Sequence, residues 1–314
     1  MVAQSSEKLR EMKVQARGPL ALVPRRTGVR AMAQRVDSTH QLPDGMKLEK
    51  IVVSPDENQR GPPLLFVHGS YHGAWCWAEK WQPYFADRGY ETVSISLRAQ
   101  GKSERAEGMK YAGTLQTHAD DLESVVRSMS SPPVMIAHSF GGLVAELYAS
   151  QQRAPLRGMA LLSSVPPTGN GDIIKRITKR SFFDSARITW GFVTKSFLKS
   201  SADTRFLFFS DKLEESLVLK YQRLLQTNAS PVPLLDVRNL NAELPVANPL
   251  RDTYSKAFVG GSTADCVVDP PAVEELARHF GVQPVIWQDI GHDVMLDAGS
   301  DEVAAEIAAW LESI

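Results

Sequence analysis

The sequence has only two cysteines in 314 residues, Cys76 and Cys266, and no run of 18 or more apolar residues. Two cysteines are too few for a disulfide framework, and no spacing in the chain is typical of a zinc site. The missing apolar run argues against a membrane-spanning helix. We therefore expect a globular protein stabilised by its own hydrophobic core, for which a chain of this length suffices.

The sequence also lacks an excess of charge of either sign, with 35 Lys and Arg against 36 Asp and Glu. The balance is uneven, because residues 1–36 hold eight basic and two acidic residues and the remainder is mildly acidic. Phosphate backbones require a concentrated basic surface. The charge distribution therefore argues against nucleic acid as the main partner.

Residues 1–36 are rich in arginine and lack the apolar stretch of a secretory signal. The segment Val29–Met32 resembles the cleavage context of plastid transit peptides. We predict that residues 1–38 are a transit peptide for the chloroplast, with the mitochondrion as second choice. The alternative is a disordered basic tail on a cytoplasmic protein. In either case the folded domain is expected to begin near Thr39.

From residue 47 onward, apolar runs typical of strands alternate with segments of helical periodicity. The predicted strands are 47–53, 62–67, 91–97, 134–137, 157–165, 256–260 and 284–288. The predicted helices between and after them are 78–88, 117–129, 141–151 and 303–311. This alternation indicates an α/β fold with a parallel sheet covered on both faces.

Residues 166–254 interrupt the alternation with helical periodicity and no convincing strand. Because a structureless loop of that length is implausible, we predict a helical cap inserted into a core of residues 39–165 and 255–314. The stretch 166–212 mixes nine Lys and Arg with many aromatic residues. Its apolar faces could simply pack on the sheet, with the charges solvated. The other interpretation is an apolar pocket whose basic rim contacts an anionic membrane.

Ser139 lies in the segment Val134–Gly142, where a buried strand is followed by a small-x-Ser-x-Gly pattern and a helix. A nucleophile elbow requires this strand–turn–helix context, because small residues two positions away allow tight backbone packing. Ala137 fills the first small position and Gly141 the second. The helix N-terminus directs free N–H groups toward the serine, which favours negative charge there. We therefore predict Ser139 to be a nucleophile.

Several segments together resemble the α/β-hydrolase fold superfamily over residues 45–314. They are His68-Gly69, Ala137–Gly142, an Asp after a late strand, and Gly291-His292 near the end. The stretch His68–Trp77 is similar to the corresponding loop of plant methylesterases and hydroxynitrile lyases. The resemblance implies a mostly parallel twisted sheet flanked by helices, with the cap inserted after the sixth strand.

The resemblance implies a triad in the chain order Ser, acid, His. His292 follows the last strand and is the predicted base. Asp265 follows a strand and a glycine pair and is the predicted acid, which would hold the tautomer of His292. Asp269 is the rival acid, although its place before Pro270-Pro271 favours a helix cap.

The resemblance also implies an oxyanion hole made from two backbone N–H groups. They belong to Phe140, directly after the nucleophile, and to Ser70, with Tyr71 as second choice. No metal or cofactor is expected. The sequence thus predicts a serine hydrolase that cleaves a carboxylic ester with an apolar part. The alternatives are a lyase that uses the same triad, as in hydroxynitrile lyases, and a ligand-binding receptor with weak catalysis.

Overall fold

The computed structural model describes residues 34–56, 59–236, 240–247 and 256–314. Eight strands form one sheet: β1 Gln34–Gln41, β2 Lys47–Ser54, β3 Leu64–Val67, β4 Thr92–Ile95, β5 Val134–His138, β6 Gly158–Leu162, β7 Ala257–Ser262 and β8 Val285–Trp287. Their order across the sheet is β1-β2-β4-β3-β5-β6-β7-β8. Strand β2 runs antiparallel to β1 and to β4, and the other neighbouring strands are parallel to each other. The predicted mostly parallel sheet is confirmed.

The helices described are α1 Trp75–Ala78, α2 Trp81–Ala86, α3 Leu115–Arg127, α4 Phe140–Ser150, α5 Gly171–Arg180, α6 Phe182–Thr194, α7 Ser201–Phe208, α8 Glu215–Asn228, α9 Pro270–Phe280 and α10 Ser300–Leu311. Short 3₁₀ helices occupy Ser196–Leu198 and Leu240–Ala242. No described helix is both long enough and apolar enough to cross a bilayer.

The central strands are buried on both faces, which explains their uninterrupted apolar sequence. In β3, Leu65 and Val67 join one hydrophobic cluster, whereas Leu64 and Phe66 join another. Successive side chains of a strand point to opposite faces, so the two clusters are the cores on the two sides of the sheet. Helices α3, α4 and α9 cover the first core, and α2, α7, α8 and α10 cover the second.

The expected domain start near Thr39 was wrong by five residues, because β1 begins at Gln34. This strand forms a hairpin with β2 around the turn Pro43-Asp44-Gly45, where the N–H of Leu42 donates to the carbonyl of Met46 at 2.8 Å. Strand β1 is mostly exposed and polar because it lies at the edge of the sheet. The predicted transit peptide otherwise lies outside the described residues and stays a prediction.

Four helices, α5 to α8, lie between β6 and β7, within the span predicted for the cap. The later part of that span, at residues 237–239 and 248–254, lies outside the described residues. The direction in which strands are added to the sheet reverses at β3. Strand β4 lies on one side of β3, and the next strand along the chain, β5, lies on the other side. Ligand sites of open α/β sheets occur beyond the carboxyl ends of strands at such a point. A ligand site is therefore expected beyond the carboxyl ends of β3 and β5.

Candidate active site

Ser139 occupies the sharp turn between β5 and α4, with φ 54° and ψ −129°. A non-glycine residue with positive φ is strained and is often found at functional positions. Neighbouring backbone leaves little room, since a Cβ on Gly141 would lie 2.2 Å from the carbonyl oxygen of His68. The glycine two positions after the serine is therefore required by close packing against the end of β3.

The structure brings Ser139, His292 and Asp265 together at the carboxyl edge of the sheet. The Ser139 Oγ lies 3.1 Å from His292 Nε2, and His292 Nδ1 lies 2.8 Å from Asp265 Oδ2. The other carboxylate oxygen of Asp265 accepts from the N–H groups of Val267 and Val268, at 2.7 and 2.9 Å. The carboxylate is thus fixed on one side by backbone and on the other by the imidazole.

The surroundings of His292 raise its pKa above the ordinary value for histidine. Burial alone would lower the pKa of His292, but the charge of Asp265 and its hydrogen bond outweigh burial and raise it. The loop that carries the imidazole is held closely, because a Cβ on Gly291 would lie 2.6 Å from the Phe209 backbone. In addition, His138 Nε2 lies 3.0 Å from the carbonyl oxygen of His292. The ring can therefore accept a proton without leaving its place.

The loop after β3 passes directly beside the Ser139 side chain. A Cβ on Gly69 would lie 2.6 Å from the Ser139 Cβ, so only glycine fits there. His68 fixes this loop, since its Nε2 accepts from the N–H of Leu97 at 2.9 Å and its Nδ1 lies 2.6 Å from the Gly69 carbonyl oxygen. Burial lowers the pKa of His68 to about 3, so it remains neutral. His68 is a structural member of the loop.

Ser70 follows Gly69 in this loop, and Phe140 is the first residue of α4, directly after Ser139. Within the described part of the chain, neither backbone N–H donates a hydrogen bond to another residue. Both groups therefore keep a free donor. Tyr71, the second choice for Ser70, has φ 66°, and its hydroxyl donates to the carbonyl of Phe192 at 3.0 Å.

The rival acid is engaged elsewhere. Both carboxylate oxygens of Asp269 accept from the guanidinium of Arg176 in α5, at 2.7 and 2.6 Å. Asp269 precedes α9 directly, as expected for a cap position, but its side chain makes no capping hydrogen bond. Instead, it joins a cap helix to the helix that follows the Asp265 loop.

Residues 64–306 match the alpha/beta hydrolase family. The chain belongs to this family. Among curated proteins, the chain is similar to Methylesterase 9 of Arabidopsis thaliana, with 33% identity over 106 residues, which are 33% of this chain and 40% of that protein. It is also similar to the phospholipase YtpA of Bacillus subtilis, with 33% identity over 107 residues, 32% of this chain and 39% of that protein. The matched segments thus span about two fifths of each relative.

Solved structures of the family share the fold along nearly the whole chain. A bromoperoxidase from Bacillus anthracis superposes with a TM-score of 0.69 at 15% identity, covering 88% of this chain and 100% of that chain. A thermophilic esterase from Thermogutta terrifontis gives 0.62 at 21% identity, covering 90% of this chain and 99% of that chain. These likenesses confirm the predicted alpha/beta hydrolase fold.

A second buried His–Asp pair, which the sequence reasoning missed, lies beside the triad. His72 Nε2 is 2.8 Å from Asp293 Oδ2, and His72 Nδ1 is 2.9 Å from the Ser70 carbonyl oxygen. Both side chains are almost fully buried. Burial would raise the pKa of Asp293, but the charge and hydrogen bond of His72 outweigh burial and lower it. The pair joins the loop that carries Ser70 to the residue directly after His292.

Because this pair is buried, removing one partner is expected to destabilise the protein. Replacing Asp293 with alanine strips the charge partner from His72, which costs about 3–5 kcal/mol in comparable buried pairs and corresponds to a fall in Tm of roughly 6–15 °C. Thermal unfolding followed by circular dichroism measures this shift. Since the pKa of Asp293 is lowered, its contribution is present at neutral pH and is lost as the pH falls through that lowered pKa.

The matched control is Asp301→Asn, which breaks the exposed pair with Lys80 and should change Tm by less than about 2 °C. A double variant of His72 and Asp293 should lose less stability than the sum of the losses in the two single variants, because the same interaction is removed in each. Additive losses would contradict direct pairing of the two side chains.

Aromatic side chains of the cap close over the loop that carries Ser70. Tyr71 stacks on Phe192 with ring centroids 5.6 Å apart, and Phe197 meets Tyr71 edge-on at 5.1 Å. Phe208 packs against His72 at 5.3 Å. Ser139 itself is only 5% exposed. Three cap aromatics, Phe192, Phe197 and Phe208, thus form with Tyr71 an aromatic wall against the loop that carries Ser70.

Proposed function

We propose that the protein hydrolyses carboxylic esters through an acyl-enzyme, with Ser139 as nucleophile. The observation that carries this proposal is the continuous hydrogen-bonded chain from Ser139 Oγ through His292 to Asp265, at 3.1 and 2.8 Å. Serine is a weak nucleophile unless an adjacent base removes its proton. His292 is within reach of that proton, and Asp265 stabilises the imidazolium that results.

In the first half of the reaction, His292 Nε2 takes the hydroxyl proton as Ser139 Oγ attacks the ester carbonyl carbon. The N–H groups of Phe140 and Ser70 stabilise the negative charge that develops on the carbonyl oxygen. His292 then gives its proton to the departing alcohol as the C–O bond breaks. In the second half, His292 activates water, which releases the carboxylic acid and restores the serine. No step requires a cofactor.

We further propose that the ester carries an apolar acyl or alcohol group. The wall formed by Tyr71, Phe192, Phe197 and Phe208 supports this, because it lies against the loop that carries Ser70. A buried methylene contributes about 0.8 kcal/mol, or up to roughly a fourfold gain in kcat/KM per methylene if the binding energy is retained in the transition state. Similarity to a methylesterase and a phospholipase is compatible with either position of the apolar group.

Labelling with a fluorophosphonate and turnover of a series of p-nitrophenyl esters from acetyl to dodecanoyl test the proposal together. We expect the label on Ser139, absent from Ser139→Ala, and a kcat/KM that rises with acyl length until the apolar site is filled. Labelling without ester turnover at any length would contradict hydrolysis and favour the lyase or receptor alternatives. Release of cyanide from a cyanohydrin would then identify the lyase. Absence of labelling would contradict the assignment of Ser139 as an activated nucleophile.

A further inference from the structure

Cap helix α6 presents large apolar side chains to solvent on one face. Phe183, Trp190 and Val193 are 84%, 66% and 76% exposed, and Phe182, at the start of the helix, is 69% exposed. The spacing of 183, 190 and 193 puts their side chains on one side of a helix with 3.6 residues per turn. These four residues are called the α6 stripe. Contiguous exposed aromatic residues are unusual on a soluble monomer and are typical of interaction surfaces.

The α6 stripe is not needed to hold the helix in place, because a different face of α6 is already packed. Gly191 is buried against Leu207, where an added Cβ would lie 2.8 Å from Leu207 Cδ1. Phe192 stacks on Tyr71 and also packs near Phe208, at 6.0 Å. Folding therefore does not account for the aromatic residues that face outward.

Positive charge adjoins the α6 stripe directly. Lys179 and Arg180 end helix α5 two residues before Phe182, are exposed, and form no ion pair or side-chain hydrogen bond with another described residue. Residues 171–199 contain seven Lys and Arg against two Asp, in a chain whose net charge is −1. The apolar stripe therefore lies within a locally basic part of an otherwise acidic protein.

We propose that the α6 stripe, together with Lys179 and Arg180, docks the protein on the surface of an anionic lipid bilayer. Tryptophan and phenylalanine partition into the boundary between head groups and acyl chains, and adjoining lysine and arginine are attracted to anionic head groups. A second copy of the chain is a poorer occupant. In a twofold interface the same patch meets itself, so the two basic pairs would be brought together.

Docking through α6 would also bring a bilayer toward the candidate active site. Phe192 in α6 contacts Tyr71, the residue after Ser70, by both ring stacking and a hydrogen bond. If the proposed function holds, the substrate is an ester drawn from the lipid phase, and this part of the inference rests on that function. Binding to the bilayer does not depend on ester hydrolysis, so the docking proposal and the proposed function can each be contradicted separately.

The test is co-sedimentation of the full chain with vesicles, using Ser139→Ala so that catalysis plays no part. Vesicles of phosphatidylcholine alone are compared with vesicles that also contain phosphatidylglycerol. We expect binding to the anionic vesicles that weakens with added salt. Phe183→Ser with Trp190→Ser should weaken this binding roughly a hundredfold. Lys179→Gln with Arg180→Gln should weaken it roughly thirtyfold, because each basic residue near an anionic surface strengthens binding roughly fivefold.

The matched control is Leu217→Ser with Leu219→Ser on helix α8, whose side chains are 37% and 38% exposed. It removes two exposed apolar groups outside the α6 stripe and should leave binding unchanged. Absence of binding to anionic vesicles, or an equal loss in the control, would overturn the proposal. A concentration-dependent dimer that is lost in the Phe183 and Trp190 variant, without vesicle binding, would overturn it in favour of a second copy. Vesicle binding by Ser139→Ala, together with no ester turnover by the unsubstituted protein, would uphold it while contradicting the proposed function.

Discussion

Replacing Ser139 with alanine is expected to lower kcat for ester hydrolysis roughly a millionfold, the effect seen when the nucleophile of a serine triad is removed. The alanine lacks the Oγ that lies 3.1 Å from His292 Nε2, so no acyl-enzyme can form. Steady-state turnover of the best p-nitrophenyl ester measures the loss. The fold should persist, because the hydroxyl makes no other hydrogen bond among the described residues.

Ser163→Ala is the matched control for this experiment. Ser163 is fully buried at the end of β6, its φ is also positive at 43°, and its hydroxyl has no partner among the described residues. The same substitution there should change kcat by less than about threefold, as for a change that breaks no interaction. If Ser139→Ala kept one part in a hundred of the activity, or if Ser163→Ala lost it, the assignment of Ser139 would be wrong.

The central strands and helices could be predicted because the sequence pattern of each lies within its own short segment. The strands around Phe66 and Ile136 are short apolar runs, and the helices between them show their own periodicity. Ser139 lies where the apolar run of β5 meets the helical pattern of α4. The strand, turn and helix that position its side chain are therefore consecutive in the sequence. His292 and Asp265 follow strands of the same parallel sheet, and carboxyl ends of parallel strands meet at one edge.

The first strand could not be predicted from apolar content, because β1 is an edge strand with mostly polar, exposed residues. The turn at Pro43-Asp44-Gly45 directly precedes the predicted strand at 47–53. A turn of this kind, with a strand on each side, also forms a β-hairpin. The residues before this turn pair with β2 from Gln41 back to Gln34, which extends the domain to Gln34.

Side-chain pairs between distant residues could not be read from the sequence. His72 and Asp293 are separated by 221 positions, and Arg176 and Asp269 by 93. Only the folded chain shows that each charge has a partner. The cap gave a similar difficulty, because composition does not distinguish Phe197, which is fully buried, from Phe183, which is 84% exposed. The cap aromatics therefore divide into residues that pack inward, such as Phe197, and residues that face solvent, such as Phe183.

Replacing Asp265 with asparagine is expected to lower kcat roughly ten-thousandfold while the fold is kept. The amide can occupy the same space, but it cannot stabilise the imidazolium and favours the wrong tautomer of His292. The pH profile gives a second, independent signature. His292 must be neutral to act as base, so kcat/KM rises as the pH passes its pKa.

The direction of the pH shift follows from the charges around His292. Burial lowers the pKa of His292, and in the native protein the charge and hydrogen bond of Asp265 outweigh burial and raise it. In Asp265→Asn that opposing charge is lost, so burial prevails and the rising limb of the profile moves to lower pH. A profile of kcat/KM against pH, with residual activity measured at high enzyme concentration, detects the shift.

Asp269→Asn separates this effect from the loss of any nearby carboxylate. Asp269 is four residues further along the chain and accepts from Arg176 instead of His292. Its replacement breaks an ion pair between α5 and the start of α9, so we expect a lower Tm with the pH limb unmoved. If Asp269→Asn moved the limb and Asp265→Asn did not, the acid of the triad would be Asp269. The opposite result would tie the raised pKa of His292 to the carboxylate 2.8 Å from its Nδ1.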